Sequence, residues 1–193
     1  MNYYISDLHL FHASSIRFDN RPFESLEEMH EAILQNWNRT VTNGDTVYIL
    51  GDISMRGKNE DLIAFVAKLK GRKILIKGNH DDVSDFRYKQ LFSEICDYKE
   101  VKETIDGTSY NVILSHYPIF SWNKMNRGAI LLYGHTHDCE EDHYFQKCIY
   151  NMTQNECRHT SGEIVSAYNV GCMKKEINYR PRTLKQIIAA YQK

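Results

Sequence analysis

Short apolar runs alternate with stretches of helical periodicity along the first half of the chain. Tyr3–Ile5 reads as a strand. Ser25 and Glu28 stand at capping-box spacing, and Leu26, Met29, Ile33, Leu34 and Trp37 then recur as the apolar stripe of a helix. Thr46–Leu50 has the length and β-branched content of a buried strand. Glu60–Lys70 carries Leu62, Ile63, Val66 and Leu69 on one helical face, and Gly71 follows as a C-terminal stop. Lys73–Lys77 is the next strand. Val101–Ile105, Tyr110–Leu114, Ala129–Tyr133 and Ile164–Val170 read as further strands, and Thr183–Tyr191 as a closing helix. Strand–helix–strand alternation predicts parallel pairing at the start. The later strands have fewer helices between them, so antiparallel pairing is expected there. The pattern implies two sheets packed face to face with helices outside. No repeat, low-complexity tract or linker divides residues 1–193, so one domain is expected. The stretch 138–162, with Tyr144, Phe145 and Tyr150 among charges, is expected to be a rim or lid, or a plain surface excursion.

The polar residues that end these strands carry the chemistry. Tyr4-Ile5-Ser6 runs into Asp7-Leu8-His9, and Ile49-Leu50-Gly51 into Asp52. Ile76-Lys77-Gly78 runs into Asn79-His80-Asp81, Ile113-Leu114-Ser115 into His116, and Leu132-Tyr133-Gly134 into His135-Thr136-His137. Side chains leaving neighbouring strands at their carboxyl ends converge in space. Carboxylate, amide oxygen and imidazole together suit Mn, Fe, Zn, Co or Ni better than Ca or Mg. The absence of thiols from the set disfavours a structural zinc site. Asp7 and His9, two apart on an extended segment, would share one ion. The remaining His12, His30, His143 and His159 read as ordinary polar residues, although His12 lies close enough in sequence to contact a substrate phosphate.

Composition narrows the class. With 193 residues, 42% hydrophobic and 25% charged, the chain is long and apolar enough for a normal core, and a net charge of -1 argues against a generic nucleic-acid coat protein. No apolar run reaches membrane-spanning length, and residues 1–7 lack a signal-peptide pattern, so a cytoplasmic protein is expected. Five cysteines with no C-x-x-C pair argue against a disulfide framework.

The set Asp7-x-His9, Gly51-Asp52, Gly78-Asn79-His80-Asp81, His116 and Gly134-His135-x-His137 resembles the calcineurin-like metallophosphoesterase superfamily. Arg21-Pro22-Phe23, Asn36-Trp37-Asn38, Asn169-Val170-Gly171 and Tyr179-Arg180-Pro181 look like its small single-domain phage and bacterial members. The resemblance implies an α/β fold of two mixed β-sheets sandwiched between helices (αββα) and two divalent transition-metal ions, Mn first, then Fe, Zn, Ni or Co. It places Asp7, His9 and His137 on one ion and Asn79, His116 and His135 on the other, with Asp52 bridging. His80 would be a catalytic residue outside the ligand set. The implied reaction is hydrolysis of a small phosphate ester, as phosphodiesterase or phosphatase, by metal-activated hydroxide with His80 as general acid.

The chain departs from the phosphoprotein phosphatase branch, which reads G-D-x-x-D-R-G after the second strand. Here Met55 stands where that branch has an Asp that orients the catalytic His, so His80 must be held otherwise, by Asp81 or a backbone carbonyl. Arg56 survives as a residue for a substrate phosphate oxygen. Two competing readings remain. A nuclease of the same superfamily would draw on Lys68–Lys73 and Lys174–Lys185 for its basic contacts, but the near-zero charge does not favour nucleic acid. A non-catalytic scaffold would normally have lost His80 or several ligands. Oligomeric state is not readable from the sequence.

Overall fold

A computed structural model of the chain describes residues 1–55, 60–154 and 165–192. Arg56, Cys157, His159 and Ile164 lie outside the described residues.

Among the described residues, eight strands form two four-stranded sheets. In the first, β1 (Asn2–Ile5), β2 (Thr46–Ile49), β3 (Arg72–Ile76) and β4 (Glu94–Cys96) pair in chain order, all parallel. An antiparallel bridge from Tyr4 to Arg182 adds to its outer edge. The second sheet contains β5 (Tyr98–Ile105), β6 (Thr108–Ser115), β7 (Ile130–Tyr133) and β8 (Ser166–Asn169). Only β5 and β6 run antiparallel; β6–β7 and β7–β8 are parallel, contrary to the antiparallel expectation. Residues 116–129 are long enough to cross over between β6 and β7, and for β7–β8 the reason is a helix that the sequence reading did not assign. Residues 140–154 of the expected rim or lid form α5 (Glu140–Gln154), which lies between β7 and β8 and packs on β8. Parallel neighbours need such a crossover.

The remaining helices are α1 (Ser14–Phe18), α2 (Leu26–Thr40), α3 (Glu60–Lys68), α4 (Phe86–Lys89) and α6 (Leu184–Tyr191). Ser25 Oγ accepts from Glu28 N at the start of α2, but the Glu28 carboxylate reaches back to Glu24 N, so the capping box is half formed. At α6 the box is complete, between Thr183 and Gln186. Among the described residues no helix is long and apolar enough to cross a membrane.

Period-two alternation sorts the second sheet's side chains between two cores. Val112, Leu114, Ile130 and Leu132 join the strands of the first sheet, with Met29, Ile33, Trp37, Leu62, Phe65 and Val66 of α2 and α3. Ile113, Leu131 and Tyr133 face the other way, onto Ile149 of α5 and Trp122. The sheets touch directly where the Tyr4 hydroxyl donates to Glu103 of β5. They also join at their carboxyl ends: Ser6 N donates to Val170 O at 2.9 Å, Cys172 N to Ser6 O at 2.9 Å, and Val170 N to Tyr133 O at 2.7 Å. This seam brings the ends of β1, β7 and β8 together.

Candidate metal centre

Two clusters of side chains that could hold a metal ion meet at the carboxyl ends of the strands. Asp7, His9 and His137 form one; Asp52, His116 and His135 form the other. Within each, the ligand atoms lie within 4.8 Å of one another. Asn79 stands at the second, its Oδ1 3.1 Å from His116 Nε2. Asp52 reaches both, with Oδ2 3.9 Å from His9 Nε2 and 3.6 Å from His116 Nε2. All seven residues singled out as ligands therefore come together.

The backbone that aims them is not the extended one expected from the D-x-H spacing. Asp7, His9, Asp52, His135 and His137 all adopt left-handed conformations, with φ of 56°, 48°, 52°, 68° and 47°. Such a conformation costs an L-residue about 1–2 kcal/mol, and it concentrates where surrounding structure enforces it for function. In Asp7–Phe11 every second residue is left-handed, while the intervening Leu8 and Leu10 are fully buried. The run is clamped to the loop after β2 by Asp7 N to Gly51 O, His9 N to Asp52 O and Leu10 N to Ile53 O, at 2.8–3.0 Å. Gly51 and Gly78 make the approach of the two loops passable. A Cβ on Gly51 would lie 2.7 Å from Gly78 Cα, and one on Gly78 would lie 2.1 Å from Asp52 Oδ1.

Asp81 is occupied elsewhere than expected. Its carboxylate accepts from Asp52 N (2.8 Å), Ile53 N (3.0 Å) and Gly78 N (2.9 Å), so it holds two loops together rather than the His80 ring. His80 donates its backbone N–H to Asp52 Oδ1 at 3.1 Å, and its half-buried ring lies 5.9 Å from that of His9. His12 lies against the same His9 ring, at 5.9 Å, and against Phe18. Phe18 and Tyr117, both exposed, flank the clusters: Phe18 packs edge-on to His9, and Tyr117 edge-on to His116 and His135. His30 proves structural, accepting from Phe11 N at 3.0 Å.

Hydrogen bonds fix how the imidazoles point. His116 Nδ1 donates to Leu50 O at 2.8 Å, which leaves Nε2 facing Asn79 Oδ1 at 3.1 Å. His137 Nδ1 donates to Asp19 Oδ1 at 2.6 Å, and its Nε2 meets His9 Nε2 at 3.0 Å. These two facing Nε2 atoms are nitrogens that a divalent cation could take as ligands. Burial pushes the Asp7 carboxyl up, against the opposing pull of His137. Burial, with the charges of His137 and Arg21, pushes His9 down to about 2, and burial likewise lowers His135. Burial opposes charge on His137 too, but the Asp19 hydrogen bond and the Asp7 and Asp19 carboxylates outweigh it and raise its pKa. The lowered pKa values of His9 and His135 beside two buried carboxylates fit a divalent cation.

Sequence reasoning missed Asp19, Arg21 and Asp142 as parts of this region. Asp142 Oδ1 accepts from Tyr133, Thr136 and Asn169 behind the His135–His137 turn, and its Oδ2 pairs with buried Lys174 at 3.0 Å. Arg21 and Asn169 stood in the outer motifs without a role; Asp19 and Asp142 gave no signal beyond being acids.

Fold and centre together define a two-sheet α/β sandwich with a paired metal-ligand cluster at its strand ends. The chain belongs to the calcineurin-like phosphoesterase family, whose model matches residues 3–139. That family acts on phosphate esters and usually binds divalent metals. The chain is 32% identical over 143 residues to the uncharacterized protein MJ1445 of Methanocaldococcus jannaschii, covering 74% of this chain and 72% of that one. It is 33% identical over 158 residues to the Gene 66 protein of Mycobacterium phage D29, covering 70% and 77%. The crystal structure of AQ665 from Aquifex aeolicus, a protein of unknown function, shares the fold with a TM-score of 0.69 and 24% identity, over 98% of both chains.

Proposed function

We propose that the chain is a dinuclear-metal phosphoesterase acting on a small phosphodiester or phosphomonoester. The carrying observation is the placement of Asp52 Oδ2 between His9 Nε2 and His116 Nε2, at 3.9 and 3.6 Å. Asp7, His9 and His137 would hold one ion, Asn79, His116 and His135 the second, and Asp52 both. Manganese is the first choice, ahead of Fe, Zn, Ni or Co. Bound there, a pair of divalent cations supplies Lewis acidity, lowering the pKa of coordinated water and neutralising phosphate charge.

The protein's own share of the reaction is positional and protonic. The buried aspartates and imidazoles keep the centre rigid, so little reorganisation is needed as charge develops. His80 is anchored through its backbone to Asp52 and presents its ring beside His9. Its imidazolium gives a proton to the leaving oxygen, an effect worth typically 10²–10⁴-fold. His12 lies on the same side for a phosphate oxygen, and Arg56 is assigned the same role on the sequence alone. Phe18 and Tyr117 offer flat surface to a ring carried by the ester.

Internal use of the basic residues favours a small substrate over nucleic acid. Lys73 is buried and donates to Leu69 O at 2.8 Å. Lys174 is buried between Asp138 and Asp142, and Lys185 pairs with Asp106. The test is a screen of the Mn-loaded protein against bis(p-nitrophenyl) phosphate, p-nitrophenyl phosphate, cyclic nucleotides, sugar phosphates and short oligonucleotides. Metal-dependent turnover of small esters is expected. A metal-loaded protein inert on all of them would point to a scaffold, and turnover of oligonucleotides alone to a nuclease.

A further inference from the structure

His137 differs from the other histidines of the centre in what stands behind it. Its Nδ1 bonds a carboxylate, Asp19 Oδ1, at 2.6 Å. His116 Nδ1 bonds a neutral carbonyl, and His9 Nδ1 is buried with no hydrogen-bond partner among the described residues. The Asp19 side chain is only 4% exposed, and its second oxygen accepts from Arg21 Nε at 2.9 Å and Nη2 at 2.7 Å. Asn20, left-handed at φ 49°, turns the chain so that these neighbours meet. Arg21 in turn donates from Nη1 to Leu8 O at 2.8 Å and from Nη2 to Asp7 O at 3.0 Å. One unbroken line thus runs from His137, after β7 of the second sheet, through Asp19 and Arg21 to the strained backbone that carries Asp7, after β1 of the first.

We propose that Asp19 and Arg21 are positioning residues that assemble one half of the metal centre, the half formed by Asp7, His9 and His137. The proposal rests on the metal reading of the site. Asp19 fixes the His137 tautomer with Nε2 bare and turned toward His9, and its negative charge makes that nitrogen a stronger donor to a cation. Arg21 balances the Asp19 charge where both side chains are buried. The same guanidinium pins the carbonyls of Asp7 and Leu8, so that the left-handed Asp7 cannot relax away. A carboxylate behind a ligating histidine typically contributes 10–100-fold in metal affinity. The second cluster has only a carbonyl behind His116, so the two ions are held by differently supported ligands.

The experiment is calorimetric titration of the metal-stripped full chain with Mn²⁺, for wild type and for Asp19→Asn, Asp19→Ala, Asp19→Glu and Arg21→Lys, with thermal unfolding as the check on folding. Anomalous scattering from loaded crystals assigns each ion. Asp19→Asn, which keeps shape but loses charge, should weaken one ion about 10–100-fold and leave the other within about twofold. The weakened ion should be the one at His137. Asp19→Glu should recover part of the loss. Nitrogen NMR of the stripped protein at alkaline pH should show His137 protonated on Nδ1 in wild type and mixed between its two tautomers in Asp19→Ala, a change that general loosening does not produce. Two ions bound as in wild type, or equal weakening of both, overturns the role of Asp19 while leaving the metal centre intact. A wild-type chain that takes up no metal overturns both readings.

Discussion

Gly78 shows how little room the centre leaves at the level of a single residue. A methyl group there would sit 2.1 Å from Asp52 Oδ1 and 2.7 Å from Asp52 N. Gly78→Ala should therefore displace Asp52, and metal content and turnover should fall together while the far-UV circular dichroism spectrum stays folded; normal metal content in this variant would show that the loops give way. His80 makes the opposite case, since its side chain lies beside the ligands and is assigned no ion. His80→Ala should slow turnover by about 10²–10⁴-fold with metal content near wild type, checked by elemental analysis alongside the assay. Loss of metal as well would make His80 a ligand. The clustering of these residues was legible in the sequence because Asp7, Asp52, Asn79, His116 and His135 stand at the ends of apolar runs, with His9 and His137 two positions further on. Its geometry was not: left-handed backbone at Asp7, His9 and Asp52 comes from cross-loop hydrogen bonds that no local pattern records. Asp81 was visible in the Gly-Asn-His-Asp motif as one of two alternatives for holding His80, but its three backbone partners come from two different loops, which no local pattern records.

Elements were read best where one face is apolar over several turns. α2 is capped by Ser25 and buries Met29, Ile33 and Trp37 as its spacing demands. Trp37 is fully buried and its indole N–H donates to Lys70 O at 2.9 Å, tying α2 to the end of the α3 segment. Trp37→Ala should cost about 3–5 kcal/mol, read as a lowered midpoint in urea with an unchanged slope; a loss under about 1 kcal/mol would show that the neighbouring helices close over the gap. α5 escaped the sequence reading although Phe145, Cys148, Ile149 and Met152 stand at helical spacing. Tyr144, Tyr150 and the acidic start drew attention to its exposed face instead. Missing α5 also led to the wrong pairing of β7 and β8, because the crossover that makes parallel neighbours was not counted. The short β4 and α4 carry too few residues for any periodicity to show.

At the scale of the molecule, two sheets contribute to one site because their carboxyl ends are sewn together by Ser6, Val170 and Cys172. Asp45 does similar work at the opposite ends of β1 and β2. Its carboxylate accepts from the Met1 ammonium at 2.6 Å and from the amide and hydroxyl of Thr42 at 2.8 and 2.7 Å. These bonds, the ammonium's first, lower its pKa from the ordinary 3.8 to about 2. A group depressed on folding stabilises the protein fully above its unfolded value, and that stabilisation is lost as pH falls through the folded value. Asp45→Asn should therefore be less stable than wild type at neutral pH, with the difference closing as pH falls from 3.8 to about 2. A difference that does not change with pH would place the effect in shape rather than charge.

The claim on which the functional account turns is that Asp52 joins two ions. Anomalous X-ray scattering from crystals of the Mn-loaded chain tests it most directly. Two peaks about 3.5–4 Å apart are expected, one beside Asp7, His9 and His137, the other beside Asn79, His116 and His135, with the Asp52 carboxylate touching both. A single peak, or a pair of peaks with Asp52 bound to neither, would contradict it.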